Sequence, residues 1–278
     1  MHTDDGRAIA AHYSGGRDLD AAVRTALRLA GHDPDGLAWD ALTPMDQFHT
    51  RGAEATASLA RRAAVAGGDR VLDVGGGIGG PARLLAATTG CHVTVLDLTP
   101  AYARVGAQLT AGAGLTERVR FETGDATAMP FADGAFDVVW TQHSTMNVAD
   151  KERLYAEARR VLRPGGRLAM HEIVAGPGGP LDFPVPWAAD AAISFLRSAD
   201  ATRAVVEAAG FAADVWEDVT AASLAWIEAR LAAAANGPPP PVTIAVIAGP
   251  GFGPALRVLA RNLAEGRAVV IEAVCTRP

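Results

Sequence analysis

Val71-Leu72-Asp73-Val74-Gly75-Gly76-Gly77-Ile78-Gly79-Gly80 joins an apolar run to an acidic residue and a glycine cluster, and Pro81 to Ala87 continues in a helix-like pattern. This order reads as strand, tight turn and helix start, the place where an open α/β sheet holds a nucleotide-like ligand. The turn needs backbone angles that disfavour a side chain, and a Cβ would hold a ligand away from the backbone. Two glycine patterns overlap here. Gly75, Gly77 and Gly80 fit the dinucleotide pattern G-x-G-x-x-G, whereas Gly75, Gly77 and Gly79 fit a second spacing, G-x-G-x-G. The glycines alone leave both open, and the downstream chain decides.

Around this stretch, strand and helix patterns alternate. The expected strands are Arg70–Val74, His92–Asp97, Val119–Thr123, Phe136–Thr141 and Arg167–Val174, with helices near Gly79–Thr88, Pro100–Gly112 and Lys151–Leu162 between them. Such alternation implies a doubly wound α/β fold with a mostly parallel sheet. A further helix is expected over Ala199–Ala209, followed by strands near Asp214–Val219 and over Ala268–Cys275. Upstream, Leu19, Val23, Ala26, Leu27 and Ala30 recur at helical spacing and Glu54 to Ala66 reads as another helix, so residues 1–66 can fold over the sheet as a helical lid. Residues 67–219 and 267–278 then form the core. Residues 220–266, with a helix over Ala222–Ala235, a proline run, an apolar run Val242–Ala248 and a helix around Pro254–Ala264, form an inserted cap that shapes a pocket.

Three acidic residues stand at consecutive strand ends. Asp73 precedes the glycines, Asp97 ends the second strand eighteen residues after Gly79, and Asp125 follows the third strand in Gly124-Asp125-Ala126. A carboxylate at Asp97 can accept from both hydroxyls of a ribose. Asp125 can accept from an adenine amino group, with Ala126 leaving room for the ring. Each aspartate singly would serve as a turn cap, but three on the carboxyl side of one sheet point to a ligand.

With these residues the chain resembles the class I S-adenosylmethionine (SAM)-dependent methyltransferases. The resemblance rests on D-x-G-G-G-x-G, the strand-end Asp97, Gly124-Asp125-Ala126, Pro130-Phe131 before Phe136-Asp137, and Arg160-Val161-Leu162-Arg163-Pro164-Gly165-Gly166, in order and spacing. It covers roughly residues 40 to 278 and is strongest to the small-molecule branch with ubiquinone/menaquinone, tocopherol and sarcosine/dimethylglycine methyltransferases. The Pro164-Gly165-Gly166 turn has no role in dinucleotide-binding domains, which decides against NAD. The resemblance implies a seven-stranded sheet whose last strand runs antiparallel. It implies SAM as cofactor and S-adenosylhomocysteine as product, held by Asp73, Gly75, Gly77, Gly79, Asp97, Leu98, Asp125 and Ala126. Gln142 and His143, in the loop after the fourth strand, are implied at the cofactor's methionine part.

Other clusters are expected to face the ligands. Arg51, in Asp46-Gln47-Phe48-His49-Thr50-Arg51-Gly52, can pair with the cofactor carboxylate in a charge-assisted bond, or simply belong to a solvated helix start. His49, Asn147, Glu172, Phe183 and Trp187 are expected around the acceptor, the last two as pocket walls beside Pro184 and Pro186. Methyl transfer is an in-line displacement in which alignment and exclusion of water supply much of the rate. A base matters only when the acceptor must lose a proton, and imidazole has the right range. Of His49, His143 and His171, His143 is the favoured catalytic residue because its loop abuts the transferred methyl.

The 278 residues suit one α/β domain with additions, nearly half of them hydrophobic. Against 31 acidic residues stand 25 basic ones, of which only Lys151 is a lysine, so there is no basic face for nucleic acid. The N-terminus has no signal-peptide pattern, no apolar run is long enough to span a membrane, and Cys91 and Cys275 read as buried reduced thiols. No metal site is visible. The expectation is a cytoplasmic methyltransferase, monomeric or homodimeric, acting at O, N or C of a small organic acceptor. The alternatives are a cyclase-type enzyme and a non-catalytic SAM-binding protein on the same scaffold.

Overall fold

A computed structural model describes residues 3–14 and 17–278. The chain begins with α1 (Thr3–Ser14), α2 (Leu19–Leu29), the short α3 (Thr43–Asp46) and α4 (Gly52–Arg62). Asp18 caps α2 by accepting from the Ala21 N–H, and Leu19, Val23, Ala26 and Leu27 form its buried stripe. Alternation then sets in: β1 (Arg70–Val74), α5 (Gly80–Thr89), β2 (His92–Asp97), α6 (Pro100–Gly112), β3 (Val119–Thr123), β4 (Phe136–Gln142), α7 (Lys151–Val161), β5 (Leu162–Ala175), α8 (Ala199–Ala208) and β6 (Ala212–Asp218). Helices α9 (Thr220–Ala235), α10 (Ala245–Ala248) and α11 (Phe252–Ala264) precede β7 (Ala268–Thr276).

The seven strands lie in the order β3-β2-β1-β4-β5-β7-β6. The first five are parallel, and β7 runs antiparallel to both of its neighbours, β5 and β6. The strand order reverses between β1 and β4, which opens a crevice at their carboxyl ends. Alternate residues face opposite sides, as strand geometry requires. Leu72, Val139 and Met170 pack with Leu154 and Ala158 of α7, while Val71, Val138 and Ala169 pack with Leu59 of α4 and Leu85 of α5.

Two local readings, the end of α4 and the start of β5, are corrected, and two segments without a reading gain one. Residues 3–14 form a helix that their sequence pattern does not announce. Helix α4 stops at Arg62 rather than Ala66, because Ala64 takes a left-handed conformation (φ 47°) and the Val65 N–H turns back to the Ala60 carbonyl. Strand β5 begins five residues earlier than expected, pairing Leu162 with Phe136 across the proline-glycine turn. Of the apolar run Val242–Ala248, only Ala245–Ala248 is helical; Val242 and Ile247 pack with Leu19, Val23 and Met45 of the N-terminal segment.

Cys91 and Cys275 are buried and unpaired. Among the described residues no helix is long and apolar enough to cross a membrane.

Candidate active site

Strand β1 ends at Val74 and the chain turns through Gly75 (φ 70°) and Gly77 (φ 58°), both left-handed. A Cβ on Gly75 would collide with Ser144, so the turn lies directly against the loop after β4. The Ser144 hydroxyl seals the contact by donating to the Val74 carbonyl at 2.7 Å. Beside this turn opens a cavity of about 380 Å³ at the carboxyl ends of β1, β2, β3 and β4.

One side of the cavity is acidic. Asp73, Asp97 and Asp125 all line it, with Leu98 and Ala126 between them. Asp97 accepts from the Gly77 N–H at 2.9 Å and the Thr99 N–H at 2.8 Å, and Asp125 accepts from the N–H and hydroxyl of Thr127, both at 2.8 Å. Burial pushes the Asp73 carboxyl up to about 8, with the Asp97 charge adding to it. Burial also raises Asp97, against the pull of its backbone hydrogen bonds. Asp73 Oδ2 and Gln142 Nε2 are buried and have no protein partner. Buried polar atoms in native proteins nearly always have one, so an acceptor and a donor remain here for a ligand. With the close glycine turn, that set suits SAM, whose ribose and amino group donate and whose carboxylate accepts.

The other side is apolar. Trp187 from the loop after β5, Trp226 of α9, and Phe252, Leu256 and Leu259 of α11 line it, and Ile9 of α1 joins them. Trp187 is held in place by its indole N–H, which donates to Ser194 Oγ at 3.0 Å. Asn147 also faces the cavity, and its amide is fully engaged. It donates to the carbonyls of Trp187 and Ile193 and accepts from the Tyr13 hydroxyl at 2.7 Å.

His49 and His143 also line the cavity. His143 sits in the left-handed region (φ 48°), uncommon for a residue with a side chain, and its N–H donates to the His171 carbonyl at 2.9 Å. Its ring stacks on that of His171, with centroids 5.1 Å apart. Burial holds His143 well below the usual imidazole range, and His171 and His49 add to the effect. Burial likewise lowers His49 to about 3. Both imidazoles are therefore neutral at physiological pH.

Four expected site residues do not reach the cavity lining. The Arg51 guanidinium is taken up by Glu54 (2.7 and 2.6 Å) and approaches Glu272 at 3.6 Å. Gly79 opens α5 and packs against Phe121. Glu172 is fully buried behind the loop, accepting from the Ser144 and Thr145 N–H groups at 3.2 Å, and so fixes the loop from below. Phe183 packs into the apolar cluster beneath the cap. Conversely, Tyr13, Tyr102, Trp226 and Arg230 line the cavity without having been expected there, and Thr50 lines it as part of the cluster expected to face the ligands. The only sequence signal for Trp226 and Arg230 was their four-residue spacing within the helix of the cap. Among the described residues no cluster of His, Cys, Asp or Glu is placed to hold a metal.

Residues 72–170, from β1 to the middle of β5, match the family model described as "Methyltransferase domain". The methyltransferase GfsG of Streptomyces halstedii is 35 % identical over 168 residues, which are 60 % of this chain and 58 % of that protein. The chain thus spans little more than half of that relative's length. Among solved structures, the [4+2]-cyclase SpnF is 26 % identical and superposes with a TM-score of 0.69 over 92 % of this chain and 93 % of its own. A geranyl diphosphate methyltransferase in complex with SAM, 21 % identical, superposes with a TM-score of 0.65 over 81 % of this chain and 85 % of its own. Residues 72–170 thus carry a match to a methyltransferase domain, and the glycine turn, the aspartate-lined crevice and the sheet order around it are similar to those of the class I SAM-dependent methyltransferases.

Proposed function

We propose that the protein transfers a methyl group from SAM to O, N or C of a small, largely apolar acceptor. The observation that carries this reading is one cavity with two chemistries. Its aspartate-lined side suits a nucleoside, and its Trp187, Trp226 and Phe252 side suits a hydrophobic molecule. The loop from His143 to Asn147 runs between them, touching Gly75 at one end and Trp187 at the other.

SAM supplies the methyl group on an electron-poor sulfonium. Asp97 and Asp125 hold the ribose and adenine, with Asp73, Leu98 and Ala126 shaping their bed and Gln142 offering its free amide to the methionine part. The apolar walls exclude water and align the acceptor, which is where most of the rate originates. When the acceptor is a hydroxyl or ammonium group, neutral His143 takes its proton. A well-placed imidazole contributes about 10²–10⁴-fold. The buried, unpaired thiols fit work in the cytoplasm.

Titration calorimetry with SAM, S-adenosylhomocysteine and NAD tests the first half: micromolar SAM binding with no NAD binding is expected. Methyl-labelled SAM, incubated with apolar alcohols, phenols and amines, tests the second. His143→Gln should lower kcat far more than SAM affinity, and the loss should shrink at high pH, where the acceptor ionises unaided. Near-wild-type kcat in that variant removes the base from the mechanism.

A second reading is favoured by the superposition on the cyclase SpnF, which extends over nearly the whole chain. On that reading SAM is held as a structural ligand and the apolar side guides a ring closure. A product isomeric with its substrate, with no label incorporated, would decide for it.

A further inference from the structure

Beside His143, four polar side chains from distant parts of the chain meet in the interior. Thr50 precedes α4, His171 lies in β5, Ser223 in α9 and Glu272 in β7, and the four are between 0 % and 3 % exposed. Thr50 Oγ1 is 3.4 Å from His143 Nε2, 3.1 Å from His171 Nε2 and 3.1 Å from Ser223 Oγ. The other ring nitrogen of His171, Nδ1, lies 3.6 Å from Glu272 Oε2 and has no other polar partner. Glu272 is balanced by Arg62 at 2.8 Å and Arg51 at 3.6 Å. A carboxylate flanked by guanidinium groups is a partner that can only accept.

The protons of this group follow from counting donors. At 3.6 Å the His171–Glu272 contact is longer than a hydrogen bond, but a ring lone pair facing a carboxylate is repelled and an N–H is attracted. His171 therefore carries its proton on Nδ1, and its Nε2 is an acceptor. Among the described residues, the only donor within reach of that nitrogen is the Thr50 hydroxyl. Having given its single proton to His171, Thr50 has two lone pairs left, and its two remaining neighbours are Ser223 and His143. Either hydroxyl of the Thr50–Ser223 contact can donate, and here it must be Ser223. His143 then fills the last lone pair with an Nε2–H, which leaves its Nδ1 unprotonated. That Nδ1 makes no hydrogen bond to the described residues, and its ring lines the cavity.

We propose that Glu272, His171 and Thr50 are positioning residues that fix the tautomer of His143, so that its Nδ1 lone pair is presented to the acceptor. No net proton transfer along the chain is required. The neutral His143 accepts the acceptor's proton at Nδ1, the electron pair of the broken O–H or N–H bond attacks the methyl carbon, and the sulfonium bond electrons return to sulfur. Thr50 Oγ1 meanwhile holds the Nε2–H of the imidazolium formed. This proposal rests on the reading of His143 as a base. It adds three residues that act through His143, two of them, His171 and Glu272, outside the cavity lining, and explains why a threonine and a second histidine are buried together beside it.

The experiment reads tautomers directly and needs no acceptor. In full-length protein labelled with ¹⁵N in its histidine rings, long-range ¹H–¹⁵N spectra distinguish Nδ1–H from Nε2–H imidazole. His143→Asn and His171→Asn assign the two signals. His143 is expected as a single Nε2–H tautomer and His171 as a single Nδ1–H tautomer. Thr50→Val keeps the shape and removes the hydroxyl, so His143 should lose its single-tautomer signature. Thr50→Ser should restore it, which a purely steric role would not do. If Thr50→Val does not fold, as judged by its melting curve, Thr50→Ala against Thr50→Ser makes the same comparison. An Nδ1–H tautomer at His143 in the wild type, or an unchanged spectrum in both hydroxyl-deleted variants, overturns the proposal. Expected tautomers with His143-independent methyl transfer would sustain the relay and remove only the base role.

Discussion

The backbone N–H of Gly77 donates to Asp97 Oδ2 at 2.9 Å, across twenty residues of chain. The glycine turn after β1 and the acidic end of β2 are thereby one hydrogen-bonded unit. Asp97 uses its other oxygen on the Thr99 N–H. Each oxygen keeps lone-pair capacity for an incoming hydroxyl, and the carboxylate is fixed before any ligand arrives.

Asp97→Ala should weaken SAM binding by about 1.5–3 kcal/mol, because a charged acceptor is lost and the turn loosens with it. Asp97→Asn, which keeps an acceptor oxygen, should lose less. Calorimetry on the two variants gives the order, and equal affinity in the wild type and the alanine variant would refute it.

Arg51→Ala should leave SAM affinity within about twofold, since the guanidinium is committed to Glu54 and approaches Glu272 rather than the cavity. Its exposed contact with Glu54 contributes only about 0–1 kcal/mol. A tenfold fall in SAM affinity would restore Arg51 to the cofactor site.

Asp46 and Arg83 form an ion pair at 2.9 Å with both side chains essentially unexposed, pinning the segment before α4 to α5. Replacing one partner leaves the other charge buried and unpaired, which costs about 3–5 kcal/mol. Asp46→Asn should thus lower the denaturation midpoint steeply. Gly80→Ala should do the same by another route, since its Cβ would strike the Asp46 backbone carbonyl. Denaturant titrations of both variants at neutral pH check this.

His49 gives a pH signature. Its proton is disfavoured in the folded state, where burial lowers it to about 3, while the unfolded chain binds it near 6.5. Between those values the unfolded state holds more protons, so stability falls as pH falls. The stability of the wild type relative to His49→Gln should therefore decline below pH 6.5, with a limiting slope of about 1.4 kcal/mol per pH unit. Comparing the two proteins removes the opposite contribution of Asp73, whose raised carboxyl favours the folded state at low pH. A pH-independent difference would mean that His49 is not buried as a neutral ring.

Trp187→Ala should impair acceptor binding and spare SAM, because Trp187 walls the apolar side while the aspartates hold the other. Labelled-methyl kinetics with saturating SAM separate the two effects, and a matching loss of SAM affinity would count against the division.

What could be read from the chain was local. Asp73, Asp97 and Asp125 were placed by their strands, because period-two runs followed by turn residues fix where a strand ends. The fold followed from the same alternation. What could not be read depended on contacts far apart in sequence. Nothing near Arg51 announces that Glu272, 221 residues later, will approach it. Nothing near Glu172 shows that it will fasten the loop after β4 instead of facing the acceptor. Helix α1 gives little signal because its burial comes from partners elsewhere: the Tyr13 carbonyl accepts from the Tyr102 hydroxyl, and the Tyr13 hydroxyl reaches Asn147. The grouping of three histidines escaped for the same reason, since they belong to the segment before α4, the loop after β4 and β5.

The insertion of β7 between β5 and β6 has a consequence for how the protein is made. Among the described residues, strand β6 has no neighbour other than β7, and the outer edge of β5 has no other partner either. At 5–20 residues per second, the roughly ninety residues from the end of β5 to the start of β7 take roughly 5 to 20 seconds to emerge from the ribosome. For that interval a long apolar strand presents an unpaired edge, the form of backbone most prone to joining another chain. Substitutions that weaken the β5–β7 ladder will therefore register first as lost soluble yield during synthesis, and only afterwards as lost catalysis.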